Sequence, residues 1–163
     1  SGKVNLPPVP FVKMINVTTA EDMYNAVTAE FDNTDIVVKA AAVADFRPKQ
    51  IASDKLKKAD GMNSIEIEPT KDILKELGKN KKTQFICGFS METQNMTENS
   101  KKKLDTKNLD MIVCNNLKDE GAGFQGDTNV VTIIDKTNTT ELGIMSKTEV
   151  ADKILDRIAE LNN

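Results

Sequence analysis

Asp35–Val43 reads DIVVKAAAV, an almost continuous apolar run whose one interior charge is Lys39. Three β-branched residues in succession, Ile36–Val38, favour an extended chain. Apolar side chains on both faces suit a strand covered on both sides, as in a parallel sheet. Gln84–Phe89 (QFICGF) and Asp110–Asn115 (DMIVCN) repeat the pattern. Helical periodicity separates these runs. Thr70 is placed to cap a short helix carrying Ile73, Leu74 and Leu77, closed by Gly78. Met96, Ser100 and Leu104 outline a second helix running to about Lys107. Alternating buried strands and helices predict an α/β fold, a parallel sheet covered by helices. Ligands of such sheets bind beyond the carboxyl ends of the strands, which places chemistry after Val43, after Phe89 and after Asn115.

Outward from these strands the pattern is looser. The opening SGKVNLPPVP carries prolines 7, 8 and 10 and reads as an extended connector. Phe11–Val17 is a short strand candidate. Thr18 with Glu21 has the spacing of a capping box for a helix whose face is Met23, Ala26, Val27 and Phe31. Phe46–Asp60 is polar and rich in lysine, and Ser64–Glu68 (SIEIE) alternates as a half-exposed strand. Asn129–Asp135 and Thr139–Met145 form a hairpin around KTN. Ser146 and Glu149 repeat the capping-box spacing ahead of a last helix with Val150, Ile154, Ile158 and Leu161 on one face. No internal repeat and no linker divides the chain, so residues 1–163 read as one domain.

Composition removes several kinds of chemistry. The 163 residues contain no His, so no Ser–His or Cys–His nucleophile, His base or His metal ligand exists among them. Cys87 and Cys114 form no metal-binding pair of the CxxC type and sit inside apolar runs, as reduced core residues of an intracellular protein do. Lys and Arg number 22 against 25 Asp and Glu, a net charge of −3 that does not suit a nucleic-acid binder. The longest apolar run is far too short to span a bilayer. We therefore expect a cytoplasmic protein that binds neither nucleic acid nor membrane.

Five stretches could carry chemistry. GAGFQG, Gly121–Gly126, fits GxGxxG, but no strand runs into it and a strand pattern follows it, so a glycine-rich turn is the better reading. KAAAVADFRP, Lys39–Pro48, puts small residues and then Asp45 where a strand emerges. Asp45 either accepts hydrogen bonds from a ligand or caps a turn. In KLKK, Lys55–Lys58, Lys55 and Lys57 share a side if extended, which suits phosphate as well as a solvated loop. In GFSMET, Gly88–Thr93, Phe89 is placed to stack on a base or to pack in the core. Lys103 and Lys107 share a helix face, and Lys107 also suits the helix C-terminus. Lysines, one Asp and a small-residue strand end favour phosphate handling and acyl or nucleotidyl transfer by charge and positioning.

Taken in order, KAAAVADFRP, KLKK, KDIL, GFSMET, Lys103 and Lys107 before NLDMIVCNN, GAGF with DTN, and SKTEVA resemble phosphopantothenate–cysteine ligase. This enzyme also forms the C-terminal half of the bacterial bifunctional coenzyme A biosynthesis flavoprotein. The resemblance runs over about residues 36–158. It implies a Rossmann-like fold, a homodimer, and a two-step reaction. CTP and 4′-phosphopantothenate give an acyl-cytidylate and pyrophosphate with Mg²⁺. Cysteine then yields phosphopantothenoylcysteine and CMP.

By position, the resemblance implies that Lys39, Ala40, Ala41 and Asp45 line the CTP site and that Lys55 contacts the phosphates as the catalytic lysine. Lys71, Asp72, Ile73 and Leu74 stand in place of the family's NPDIL-like segment, whose Asn-Pro is here Thr70-Lys71. Phe89, Lys103 and Lys107 match further nucleotide contacts, and Lys57–Met62 falls in a flap. No metal ligand is implied on the protein; Mg²⁺ accompanies the nucleotide phosphates. The resemblance also implies that the family's opening glycine-rich strand–loop–helix lies outside these 163 residues. The alternatives are a non-catalytic nucleotide-binding fragment and an ATP-using ligase of the same family.

Overall fold

A computed structural model describes residues 1–51, 54, 64–92, 95–116 and 126–162. In chain order the elements are α1 (Ala20–Glu30), β1 (Ile36–Lys39), β2 (Phe46–Pro48), β3 (Ile67–Pro69), α2 (Ile73–Asn80), β4 (Phe85–Glu92), α3 (Met96–Thr106), β5 (Met111–Asn116), β6 (Thr128–Asn129), β7 (Val131–Asp135), β8 (Thr139–Glu141), β9 (Met145–Ser146) and α4 (Lys147–Leu161). They fall into two compact units, Ser1–Glu30 with Ala41–Ile73, and Phe31–Ala40 with Leu74–Asn163.

The larger unit is built on a sheet of order β1-β4-β5-β7-β8. β1, β4 and β5 run parallel, as the apolar runs predict. β7 and β8 are antiparallel, so the C-terminal hairpin extends this sheet and is not a separate feature. Alternate residues of the strands point to opposite faces. Phe85, Cys87, Met111, Val113, Val131 and Ile133 pack with Val150, Ile154 and Ile158 of α4 in one core cluster. On the other face Ile86, Ile112 and Ile134 are buried, as are Leu77 of α2 and Leu104 of α3. Cys87 and Cys114 are buried free thiols, and burial pushes the Cys87 thiol up to about 12. The capping box before α4 is present, with Ser146 Oγ accepting from the Glu149 amide at 3.2 Å and the Glu149 carboxylate accepting from the Ser146 amide at 2.8 Å.

Several local readings change. The apolar run after Asp35 yields only a four-residue strand, with Ile36 and Val38 each 41% exposed. β1 lies at the end of the strand order, and among the described residues only β4 pairs with it. The chain then leaves the strand in a tight turn closed by the Val43 amide on the Ala41 carbonyl, 3.1 Å. Phe11–Val17 is not a strand. Two of its backbone groups, the Ile15 carbonyl and the Val17 amide, bond to Ser1, and Phe11 is exposed with φ 63°. Gly78 lies inside α2 and does not end it, because its missing Cβ admits the carbonyl of Lys107.

The capping box at α1 sits one residue later than the spacing predicts. Thr19 Oγ1 accepts from the Asp22 amide at 3.0 Å, and Asp22 accepts from the Thr19 amide at 2.9 Å. These bonds hold the Asp22 carboxyl below the usual range. α1 belongs to the smaller unit, with the two-stranded antiparallel ribbon β2–β3. SIEIE therefore supplies a strand only from Ile67, and the ribbon ends in Pro48 and Pro69, which edge strands tolerate.

Candidate functional site

In the smaller unit the segment after the tight turn carries Asp45. Its backbone is held from β3. The Thr70 amide donates to the Asp45 carbonyl at 2.9 Å, and the Thr70 hydroxyl donates to the Ala44 carbonyl at 2.6 Å. Thr70 is thus a brace on the Asp45 segment, where the spacing predicts a helix cap; the helix begins three residues later. The Asp45 side chain is left exposed. Next to Thr70, Lys71 Nζ donates to Glu21 Oε1 at 2.6 Å and stands 4.5 Å above the Tyr24 ring. The hydrogen bond to Glu21 raises the Lys71 ammonium above its ordinary range, so it stays cationic. Arg47 spans the ribbon to Glu68 at 2.8 Å. Ala41 and Asp72 are exposed, whereas Ile73 is buried and offers a ligand only its backbone.

In the larger unit β1 ends at Lys39, in register with Gly88 of β4. Paired residues of a sheet leave on the same face, so Lys39 projects opposite to Phe89. Ala40 is exposed beyond it. Phe89 is half-buried and packs against the core cluster on the α4 face, so its ring serves the core at one edge. Leu74 is buried, with its methyls beside Gly88. α3 leads from β4 back to the start of β5, so Lys103 and Lys107 recede from the Phe89 end. Lys107 forms the C-cap of α3, its amide donating to the Lys103 carbonyl at 3.0 Å. The structure therefore groups Asp45 with Lys71 in one unit, and Phe89 with the end of β5 in the other.

One residue at that end escaped the motif reading. Asn115 pairs with Met91 of β4 and shares a face with Phe89. Its Oδ1 is buried and has no hydrogen-bond partner among the described residues. A buried amide oxygen left open at the carboxyl end of a parallel strand is an acceptor waiting for a donor. The only signal in the sequence is an amide side chain closing the apolar run MIVCN.

Lys55, with the rest of KLKK and the Lys57–Met62 stretch, lies outside the described residues, as does GAGFQ of the glycine-rich turn. Among the described residues no three His, Cys, Asp or Glu side chains converge as a metal would need, and no helix is long and apolar enough to cross a membrane. A cleft of about 340 Å³ opens at the opposite, amino end of β4 and β5. Its acids are already engaged, Asp110 by Lys81 at 2.6 Å and Asp135 by Arg157 at 2.8 Å. None of the predicted site residues lines it.

Residues 1–161 match the family model described as DNA/pantothenate metabolism flavoprotein C-terminal domain. A coenzyme A biosynthesis bifunctional protein CoaBC of Bacillus subtilis is 49% identical over 99% of this chain and 40% of its own length. A protein of an unknown prokaryotic organism, named cysteine/cysteine sulfinic acid decarboxylase, is 44% identical over 98% of this chain and 45% of its own. The chain thus spans under half the length of these relatives. The crystal structure of a CoaBC C-terminal domain superposes with a TM-score of 0.81 at 40% identity, covering 98% of this chain and 73% of that one.

Proposed function

The chain belongs to the family of DNA/pantothenate metabolism flavoprotein C-terminal domains, and from that premise we propose that it joins 4′-phosphopantothenate to cysteine with CTP. The carrying observation is the 49% identity to CoaBC across 99% of the chain. On this reading residues 1–163 act as one ligase domain in the cytoplasm.

The proposed chemistry has two displacements. The carboxylate of 4′-phosphopantothenate attacks the α-phosphorus of CTP, and pyrophosphate leaves. The amine of cysteine then attacks the acyl carbon, and CMP leaves. Neither step requires an activated side-chain nucleophile, which accords with a chain that has no His. Charge and positioning carry the rate. Lys55 is proposed to face the phosphates and offset charge developing on pyrophosphate. Mg²⁺ is proposed to enter with the triphosphate as part of the substrate.

Asp45 is proposed to accept hydrogen bonds from the nucleotide, and Lys39, Ala40 and Ala41 are proposed as further residues lining the CTP site. Lys71, Asp72, Ile73 and Leu74 border the same ligand, Ile73 and Leu74 through their backbone because their side chains are buried. Phe89 offers a ring edge to the base, and Asn115 Oδ1 is an added acceptor on its face. Lys103 and Lys107 complete the proposed cationic set. The proposed assembly is a homodimer. Phe46, Ile65 and Ile67, each 58–67% exposed in the smaller unit, are the apolar side chains a second copy would cover.

The reading is tested by pyrophosphate release in the full-length protein. It should require both CTP and 4′-phosphopantothenate, fall with ATP in place of CTP, and collapse in Lys55→Gln with the fold intact. Unchanged release in that variant contradicts the role of Lys55.

A further inference from the structure

We infer that Thr70 is a positioning residue for nucleotide binding, acting through Asp45. The inference rests on the reading of Asp45 as a nucleotide contact. Asp45 lies on an exposed segment between the Ala41–Val43 turn and the short strand β2. Two consecutive carbonyls of that segment are fixed by one residue. The Thr70 hydroxyl takes Ala44 at 2.6 Å and the Thr70 amide takes Asp45 at 2.9 Å.

The ladder below continues the clamp. Phe46 pairs with Pro69, Arg47 with Glu68 and Pro48 with Ile67, and the Lys49 amide donates to Glu66 at 2.9 Å. Pro69 has no amide hydrogen to give, so the end of the ribbon nearest Asp45 depends on Thr70. With both carbonyls held, the Cα–Cβ direction of Asp45 is set before a ligand arrives, which lowers the ordering cost of binding. The neighbouring Lys71 is engaged by Glu21 and Tyr24, which anchors the other side of Thr70.

A positioning role differs from plain bracing in what it moves. Thr70→Val keeps the shape and the backbone amide and removes only the hydroxyl donor. Thr70→Ser restores the donor. In the full-length protein we expect Thr70→Val to raise the CTP KM about three- to tenfold, the effect of one lost hydrogen bond, with kcat within about twofold. Thr70→Ser should lie close to the parent. In an Asp45→Asn background, which itself raises the CTP KM, Thr70→Val should add little, because the carboxylate it positions is gone.

The outcomes separate. If Asp45→Asn leaves the CTP KM unchanged, the reading of Asp45 fails and this inference fails with it. If Asp45→Asn raises the KM while Thr70→Val does not, or if Thr70→Val has its full effect in both backgrounds, Asp45 keeps its role and the inference about Thr70 is overturned.

Discussion

Lys39 of β1 stands in parallel register with Gly88 of β4, and on that face a side chain at residue 88 would meet Leu74 and Leu109. A Cβ there would lie 2.8 Å from one methyl of Leu74 and 3.1 Å from one of Leu109, both buried. Gly88→Ala should therefore overpack the core beside Phe89 and cost about 1–3 kcal/mol. Urea unfolding checks this, and an unchanged midpoint would show that the two leucines yield without cost.

Asp135 gives the fold an acid-sensitive point. Burial alone would raise its pKa, but hydrogen bonds from the Thr137 hydroxyl and amide, Arg157 and the Asn138 amide outweigh burial and hold it below the usual range. A carboxyl whose folded pKa lies below its unfolded value, about 3.9, stabilises fully above that value. The contribution is lost as pH falls through the folded pKa. Asp135→Asn should cost about 1–3 kcal/mol at pH 7, and the gap from the parent should close below about pH 4. A gap constant from pH 7 to pH 3 would refute the charge-based account.

Both thiols should be silent in the folded protein. Cys87 and Cys114 have no exposed surface, and the Cys87 thiol titrates near 12. A thiol reagent at pH 8 should count none in the native chain and two in denaturant. Rapid labelling without denaturant would show that the β4–β5 pair opens.

Asn115 separates binding from stability. Its Oδ1 is buried without a partner among the described residues, so it contributes a cost to the fold that a ligand donor would remove. Asn115→Ala should raise the CTP KM about tenfold or more, while thermal unfolding shows no loss of Tm beyond about 2 °C. A large drop in Tm with CTP binding unchanged would make Asn115 a structural residue.

The strands and helices of the larger unit were legible because their signals are local and strong. QFICGF and DMIVCN are buried parallel strands, and the Ser146–Glu149 box forms as its spacing predicts. DIVVKAAAV was half legible: β-branched Ile36–Val38 extends, but the end of the strand at Lys39 and the turn at Ala41–Val43 are set by neighbours that no local pattern encodes. Thr70 looked like a helix cap because a hydroxyl before a helical stretch usually is one. Its partner, the Ala44 carbonyl, is 26 residues away in the chain. Asp45 and Phe89 were expected where the apolar runs end, but β1 stops at Lys39 and β4 continues past Phe89 to Glu92, and Asn115 was hidden, since only burial of its oxygen distinguishes it from any amide at the end of a strand.

The central claim is that the chain carries a CTP-using ligase centre. It is tested most directly by following CMP and phosphopantothenoylcysteine together in the full-length protein, with CTP, Mg²⁺, 4′-phosphopantothenate and cysteine. The account predicts equal amounts of the two products, none when cysteine is withheld, and loss of both in Lys55→Gln. CMP release without 4′-phosphopantothenate, or ligated product formed without any nucleotide, would contradict it.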